Sequence, residues 1–183
     1  MSQVSEEVRK RSEVYHGDEL CQAKSKEILK EMGLPNGLLP MKEMEECGFD
    51  REGGFVWFKQ KKSCIHNFDK ANEVVSYAAE VTANIEKGKI KKLSGVKTKE
   101  FFLWITISDI YLDDPPTGKI TFKTPAGLSD SFPISAFEIE PIKEEVANKV
   151  EEDNKQLTQE TKQEPTETKD VQDAVSTLQV KDA

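Results

Sequence analysis

The chain has 183 residues, with 26 Lys and Arg against 34 Asp and Glu, for a formal net charge of -8. Hydrophobic residues make up 36% and charged residues 33%, so part of the chain is expected to stay outside any packed core. These figures exclude a collagen-like chain, a disulfide scaffold and a strongly basic nucleic-acid binder. The strongest apolar run, Phe101 to Ile105, is far short of the roughly 20 residues that span a bilayer as a helix.

Residues 1–16 are polar and highly charged, without the apolar stretch of a secretory signal, and are expected to form a flexible arm. From Asp18 to Met32 the periodicity is helical. Cys21, Ser25, Ile28, Leu29 and Met32 fall on one face, with Lys24, Lys26, Glu27, Lys30 and Glu31 mostly outside it. Asp18 is the expected N-cap and Gly33 the residue just past the end. Pro35 then forbids continuation, since it lacks a donor N–H.

Beyond the helix the period becomes two. Met41 to Phe49 and Phe55 to Gln60 flank Asp50-Arg51-Glu52-Gly53-Gly54 and predict a hairpin. Val75, Tyr77, Ala79, Val81, Ala83 and Ile85 alternate with polar residues, the pattern of a half-buried strand. Glu86-Lys87-Gly88 is a turn from which Lys89 to Leu93 returns antiparallel. Phe101 to Leu112 is apolar on both faces in its first half, which predicts a central strand covered on both sides. Asp113 to Gly118 is turn chemistry, followed by alternating Ile120, Phe122 and Thr124. Ser131 to Ile139 completes the set.

The fold class expected is mainly β (α+β): an antiparallel β barrel or sandwich with one N-terminal helix packed on it. The domain spans 17–142. Residues 143–183 hold six Lys, eleven acidic residues and no aromatic. They cannot bury enough apolar surface to offset an ordering cost of about 1–2 kcal/mol per residue. An acidic disordered tail is therefore expected, which could serve as a protein-interaction scaffold.

The chemistry-bearing residues are sparse. Cys21, Cys47 and Cys64 are widely spaced, and with His66 they lack the paired ligands of a structural zinc site. No metal and no cofactor are expected, and the cysteines are taken as free thiols of a reducing cytosol. There is no Gly-X-Ser-X-Gly elbow and no phosphate-binding glycine loop. Between Glu86 and Lys99, six lysines face one acid. A solvated edge is the ordinary reading, with Lys87, Lys89, Lys91 and Lys92 as candidate contacts to anionic headgroups or an acidic partner. The aromatics mostly fill a core, yet Trp57, Phe101 and Trp104 are candidates to line a cavity for one apolar ligand. Trp104→Ala should cost about 3–5 kcal/mol if that ring is core, and less if it lines a ligand cavity.

Several blocks in order carry a resemblance. Gly33-Leu34-Pro35-Asn36-Gly37-Leu38-Leu39-Pro40 follows the helix directly, and Gly54-Phe55-Val56-Trp57 comes after it. Gly88-Lys89-Ile90-Lys91-Lys92-Leu93-Ser94-Gly95-Val96-Lys97, Phe101 to Ile105, and Ser131-Phe132-Pro133-Ile134-Ser135-Ala136-Phe137-Glu138 complete the set. Together they closely resemble the plant family known as domain-of-unknown-function family 538. The resemblance implies a single β-rich domain with an N-terminal helix. It also implies a comparison with lipid-binding bactericidal/permeability-increasing proteins, proposed action on chlorophyll, and a role in stress or development. No catalytic residue is agreed for the family, so none is carried over.

The expectation is a non-enzymatic, cytoplasmic monomer (the nucleus left open) that binds an apolar small molecule or an anionic lipid surface. It is expected neither to bind nucleic acid nor to cross a membrane. The alternative is an esterase-like hydrolase of chlorophyll or a similar ester.

Overall fold

The computed structural model describes residues 4–140. The expected acidic tail, 143–183, lies outside the described residues. Among the described residues, ten strands form one antiparallel sheet, accompanied by two α-helices and a 3-10 turn.

The sheet is built on one long ribbon. Strand β5 (Glu73–Glu86) turns through Lys87 and Gly88 into β6 (Lys89–Glu100). The ladder shifts register between Tyr77 and Thr82, so the ribbon carries a bulge near its middle. Gln60 serves the backbone there, its Nε2 donating to the carbonyls of Tyr77 (3.1 Å) and Ala78 (3.0 Å). Ala79, expected on the inner face, is exposed because the alternation breaks at this bulge.

Different strands flank the two ends of the ribbon. At the turn end, β3 (Phe55–Gln60) pairs with β5, β2 (Met44–Asp50) with β3, and β1 (Glu13–His16) with β2. On the other edge, β8 (Asp109–Leu112) meets β6 only at Lys89 and Ile90. Beyond β8 come β9 (Lys119–Lys123) and β10 (Ser129–Pro133). At the open end the ribbon is flanked by β4 (Cys64–Phe68) and β7 (Leu103–Thr106). The order runs from β1 to β10 and no ladder joins these two, so the sheet is sandwich-like and does not close into a barrel.

Helix α2 (Asp18–Glu31) backs the turn end, burying Cys21, Ser25, Ile28 and Leu29 as the periodicity predicts. Its end is a Schellman motif: Gly33 N donates to the Lys30 carbonyl, and Leu34 N to that of Leu29 (2.8 Å). Asp18 is not the N-cap. Gly17 holds that position, and the Asp18 carboxylate instead accepts the Met44 N–H at 2.8 Å, tying the helix to β2.

Residues 4–16, expected to fray, contain helix α1 (Glu6–Arg11) and the edge strand β1. Charge pairing holds them. Arg9 makes a bidentate contact with Glu46 (2.7 and 2.6 Å), and Arg11 Nε donates to the buried Asp50 at 2.9 Å. Arg51 reaches back to Glu13 and Glu31. The composition of the arm made it look mobile because its arginines carry no sign of where their carboxylates lie.

The motif after the helix closes the domain. Gly37 N donates to the Phe137 carbonyl (2.8 Å), while Asn36 both accepts the Ile139 N–H and donates to its carbonyl. A side chain at Gly37 would place Cβ 2.4 Å from the Phe137 oxygen, so only glycine permits this approach.

Candidate functional site

The apolar run Phe101 to Trp104 does not form a central strand. Phe101 and Phe102 are the turn between β6 and β7, and they are 91% and 95% exposed. Leu103 is 70% exposed at the start of the short strand β7. The chain is apolar on both faces here, yet no further strand pairs with β7, so nothing covers these side chains from within the sheet.

This tip marks the mouth of a cavity of about 590 Å³. The cavity is the wedge left where the sheet divides: β6 stays with β7 at its far end, while β8, β9 and β10 diverge from it. One wall is Val75 of β5 with Ile105 and Ile107 in and after β7. The opposite wall is Phe122 of β9 and Phe132 of β10, and Leu128, 67% exposed, stands on the loop between them. The floor is aromatic. Phe137, buried on the 3-10 turn Ile134–Phe137, has ring centroids of Phe68, Phe122 and Phe132 at 4.8, 5.0 and 6.0 Å.

The charged part of the lining is acidic. Glu73 enters from β5, Glu100 from the end of β6 and Asp130 from β10, while no Lys, Arg or His lines the cavity. Thr98 donates to Glu73 Oε2 at 2.8 Å. Burial raises the Glu73 carboxyl above its ordinary range. The Thr98 hydroxyl opposes that rise, and the Glu100 and Asp130 charges add to it.

Of the aromatic candidates, the structure brings only Phe101 to this cavity. Trp104 lies between Leu103 and Ile105 on β7, 40% exposed and paired in register with Lys99, and does not line this cavity. Trp57 is buried at the other end of the molecule. Its Nε1 donates to Glu46 Oε1 at 2.8 Å, and the ring packs directly on Gly48, where a Cβ would lie 2.1 Å from Cζ2. The surrounding charges are a structural network, since Arg9 stacks over the Trp57 ring while pairing with Glu46.

The lysine candidates occupy the opposite end of the ribbon from the cavity mouth. Lys87 Nζ donates to the Glu31 carbonyl at the end of α2, and Lys91 pairs with Glu86 at 2.9 Å. Lys89 and Lys92 are exposed on the first half of β6. At about 3.3 Å per residue, the course of β6 separates the lysine turn from the Phe101 tip by up to about 36 Å.

The remaining candidates stay apart. Among the described residues, no group of three or more His, Cys, Asp or Glu is gathered to hold a metal ion. All three cysteines are free. Burial pushes the Cys21 and Cys47 thiols up, whereas Cys64 is half-buried. Burial and the Lys42 charge lower the His66 imidazole against a smaller pull from Asp69, and its ring packs edge-on against Phe68 at 4.6 Å. No helix among the described residues is long and apolar enough to cross a membrane.

The family model described as "Protein of unknown function, DUF538" matches residues 25–138. The chain belongs to that family. The match holds every residue that lines the wedge and leaves out α1 and β1. The chain is also 30% identical over 114 residues to "Uncharacterized protein At5g01610" of Arabidopsis thaliana, covering 62% of each. It thus spans less than two thirds of the length of this relative. No solved structure matches.

Sequence reasoning missed most of the wedge. Phe102, Leu103, Ile105, Ile107, Phe122 and Leu128 are the principal omissions. The available signal was the pair Lys99-Glu100 directly before three bulky apolar residues, which is a strand end and not the start of a covered strand.

Proposed function

We propose that this DUF538 member binds one apolar ligand, without transforming it, in the wedge between β7 and β10. The observation that carries the reading is the cavity itself. Its volume of about 590 Å³ falls inside the 300–1,000 Å³ usual for small-molecule sites, and ten of its sixteen lining residues are Val, Ile, Leu or Phe. Large side chains left this exposed at a concave mouth are the ordinary mark of a surface awaiting a partner. Closure of Phe101, Phe102, Leu103 and Leu128 over a ligand would remove apolar area from water at roughly 25 cal/mol per Å².

The test is titration of the full chain with an environment-sensitive apolar fluorophore, alongside mass spectrometry of what co-purifies. Saturable one-to-one binding that Ile107→Glu abolishes and Trp104→Ala leaves unchanged is expected. Absence of saturable binding, or equal loss in both variants, overturns the reading.

A further inference from the structure

We propose that the ligand of the wedge carries a protonated amine, or a similar cationic donor, at one end of its apolar body. This rests on the reading that the wedge binds an apolar ligand at all. Six polar residues line the cavity, and the three that carry charge are all carboxylates, delivered by different parts of the fold. Among the described residues, none of the ion pairs involves Glu73, Glu100 or Asp130. Among the described residues their negative charge therefore has no counter-ion, unlike Glu46 and Asp50, each of which has an arginine.

Charge complementarity decides the headgroup. A fatty carboxylate or a phosphate seated here would bring another negative charge beside three that are already unneutralised. A partly apolar cleft screens such repulsion less than bulk water does. A hydroxyl head would be tolerated, as Thr98, Thr124 and Ser129 also line the cavity. An ammonium would supply the missing cation and donate hydrogen bonds to charged acceptors, the stronger kind. Burial and the acidic neighbours raise the Glu73 carboxyl, so a cation beside it would offset part of the cost of its charge. Lys87, Lys89, Lys91 and Lys92 stand at the other end of the ribbon, and Lys97 and Lys99, on β6 at this end, do not line the cavity.

The experiment is displacement of the apolar fluorophore from the full chain at pH 7 and low salt. The competitors are dodecylammonium, dodecanol and dodecanoate, each below its micelle concentration. Dodecylammonium is expected to displace the probe at roughly tenfold lower concentration than dodecanoate, with dodecanol between them. Glu73→Gln combined with Asp130→Asn should narrow that gap to about twofold, with the dodecanol value showing that the cavity is intact. Dodecanoate binding as tightly as the amine, or a gap that survives the double variant, overturns the proposal while the apolar site stands. Failure of the fluorophore and all three competitors to bind overturns the apolar site itself.

Discussion

The two ends of the β5–β6 ribbon are built from the same residue types with opposite results. Behind α2, where Ile28, Leu29, Val56, Phe58, Val81 and Ile85 meet, the space left is about 10 Å³, at the threshold for a single water. At the far end, valine, isoleucine, leucine and phenylalanine leave about 590 Å³ open. The difference lies in what is available to cover them. At the turn end helix α2 lies across the strands, fastened by the Asp18–Met44 contact and by the Arg51–Glu31 pair. At the open end the sheet divides, and no helix among the described residues spans the gap. Apolar content therefore does not by itself distinguish a core from a binding surface; the geometry of the covering element does.

The sharpest way to test that contrast is to truncate one aromatic at each end. Trp57→Ala removes a buried ring together with a hydrogen bond to Glu46, and should cost about 3–5 kcal/mol in urea unfolding. Phe102→Ala should change stability by no more than about 0.5 kcal/mol, because that ring already faces water. Its effect should appear instead in the affinity for an apolar probe. Comparable stability losses in the two variants would erase the distinction between the ends.

The clasp that closes the domain should show the next largest effect. Gly37→Ala drives a Cβ against the Phe137 oxygen, a backbone atom that cannot step aside. A loss of about 1–3 kcal/mol is expected in the same unfolding assay. Because Phe137 is the floor of the wedge, probe affinity should fall along with stability. A stable variant that retains full affinity would detach the clasp from the site.

Much of the filled end was legible from the sequence. The 3.6-residue spacing from Cys21 to Leu29 and the Gly33 stop place α2 correctly, the turn from Asp50 to Gly54 gives the β2–β3 hairpin, and two-residue alternation gives most of β5. Local patterns suffice there because the buried face of each element is continuous. The open end resisted the same reasoning. An apolar run such as Phe101 to Ile105 has the same pattern whether a neighbour covers it or a ligand does, and strand pairing is a long-range fact. The ion pairs of the arm were hidden for a related reason. Arg9 and Arg11 find carboxylates 37 and 39 residues away, and no local pattern encodes those partners. The Asn36-Gly37 motif was recognised as a signature, but its contact with Ile139 spans 103 residues.

The two ends should also answer pH in opposite directions. Burial would raise the Asp50 carboxyl, but the Gly53 amide and the Arg11 guanidinium outweigh it and hold the group below the usual aspartate range. A depressed carboxyl gives stability that is complete above its unfolded value of 3.8 and is lost as pH falls through the folded value. Glu73 is raised, so its contribution is complete below the unfolded value of 4.5 and is lost as pH rises through the folded value. Urea unfolding between pH 3 and 7 should show Asp50→Asn flattening the acid side of the profile. Glu73→Gln should remove a loss that begins above pH 4.5. Identical profiles for the two variants would mean that the carboxylates share one environment.

The smallest effects belong to the lysines. Lys91 and Glu86 form an exposed pair, which is worth about 0–1 kcal/mol, and Lys87 satisfies the end of α2 for up to about 1 kcal/mol. Replacing Lys89, Lys91 and Lys92 together by Gln should therefore change stability little. It should also leave apolar-probe affinity within about twofold, since these side chains stand at the opposite end of β6 from the mouth. Flotation with anionic vesicles isolates any separate role, because attraction through exposed lysines weakens as salt rises, whereas insertion of Phe101 and Phe102 does not. Vesicle binding that vanishes in the triple variant but survives loss of Phe102 would assign the lysine turn a surface contact of its own. A tenfold loss of probe affinity in that variant would instead show that the ribbon couples its ends, and the division between a filled half and an open half would fail.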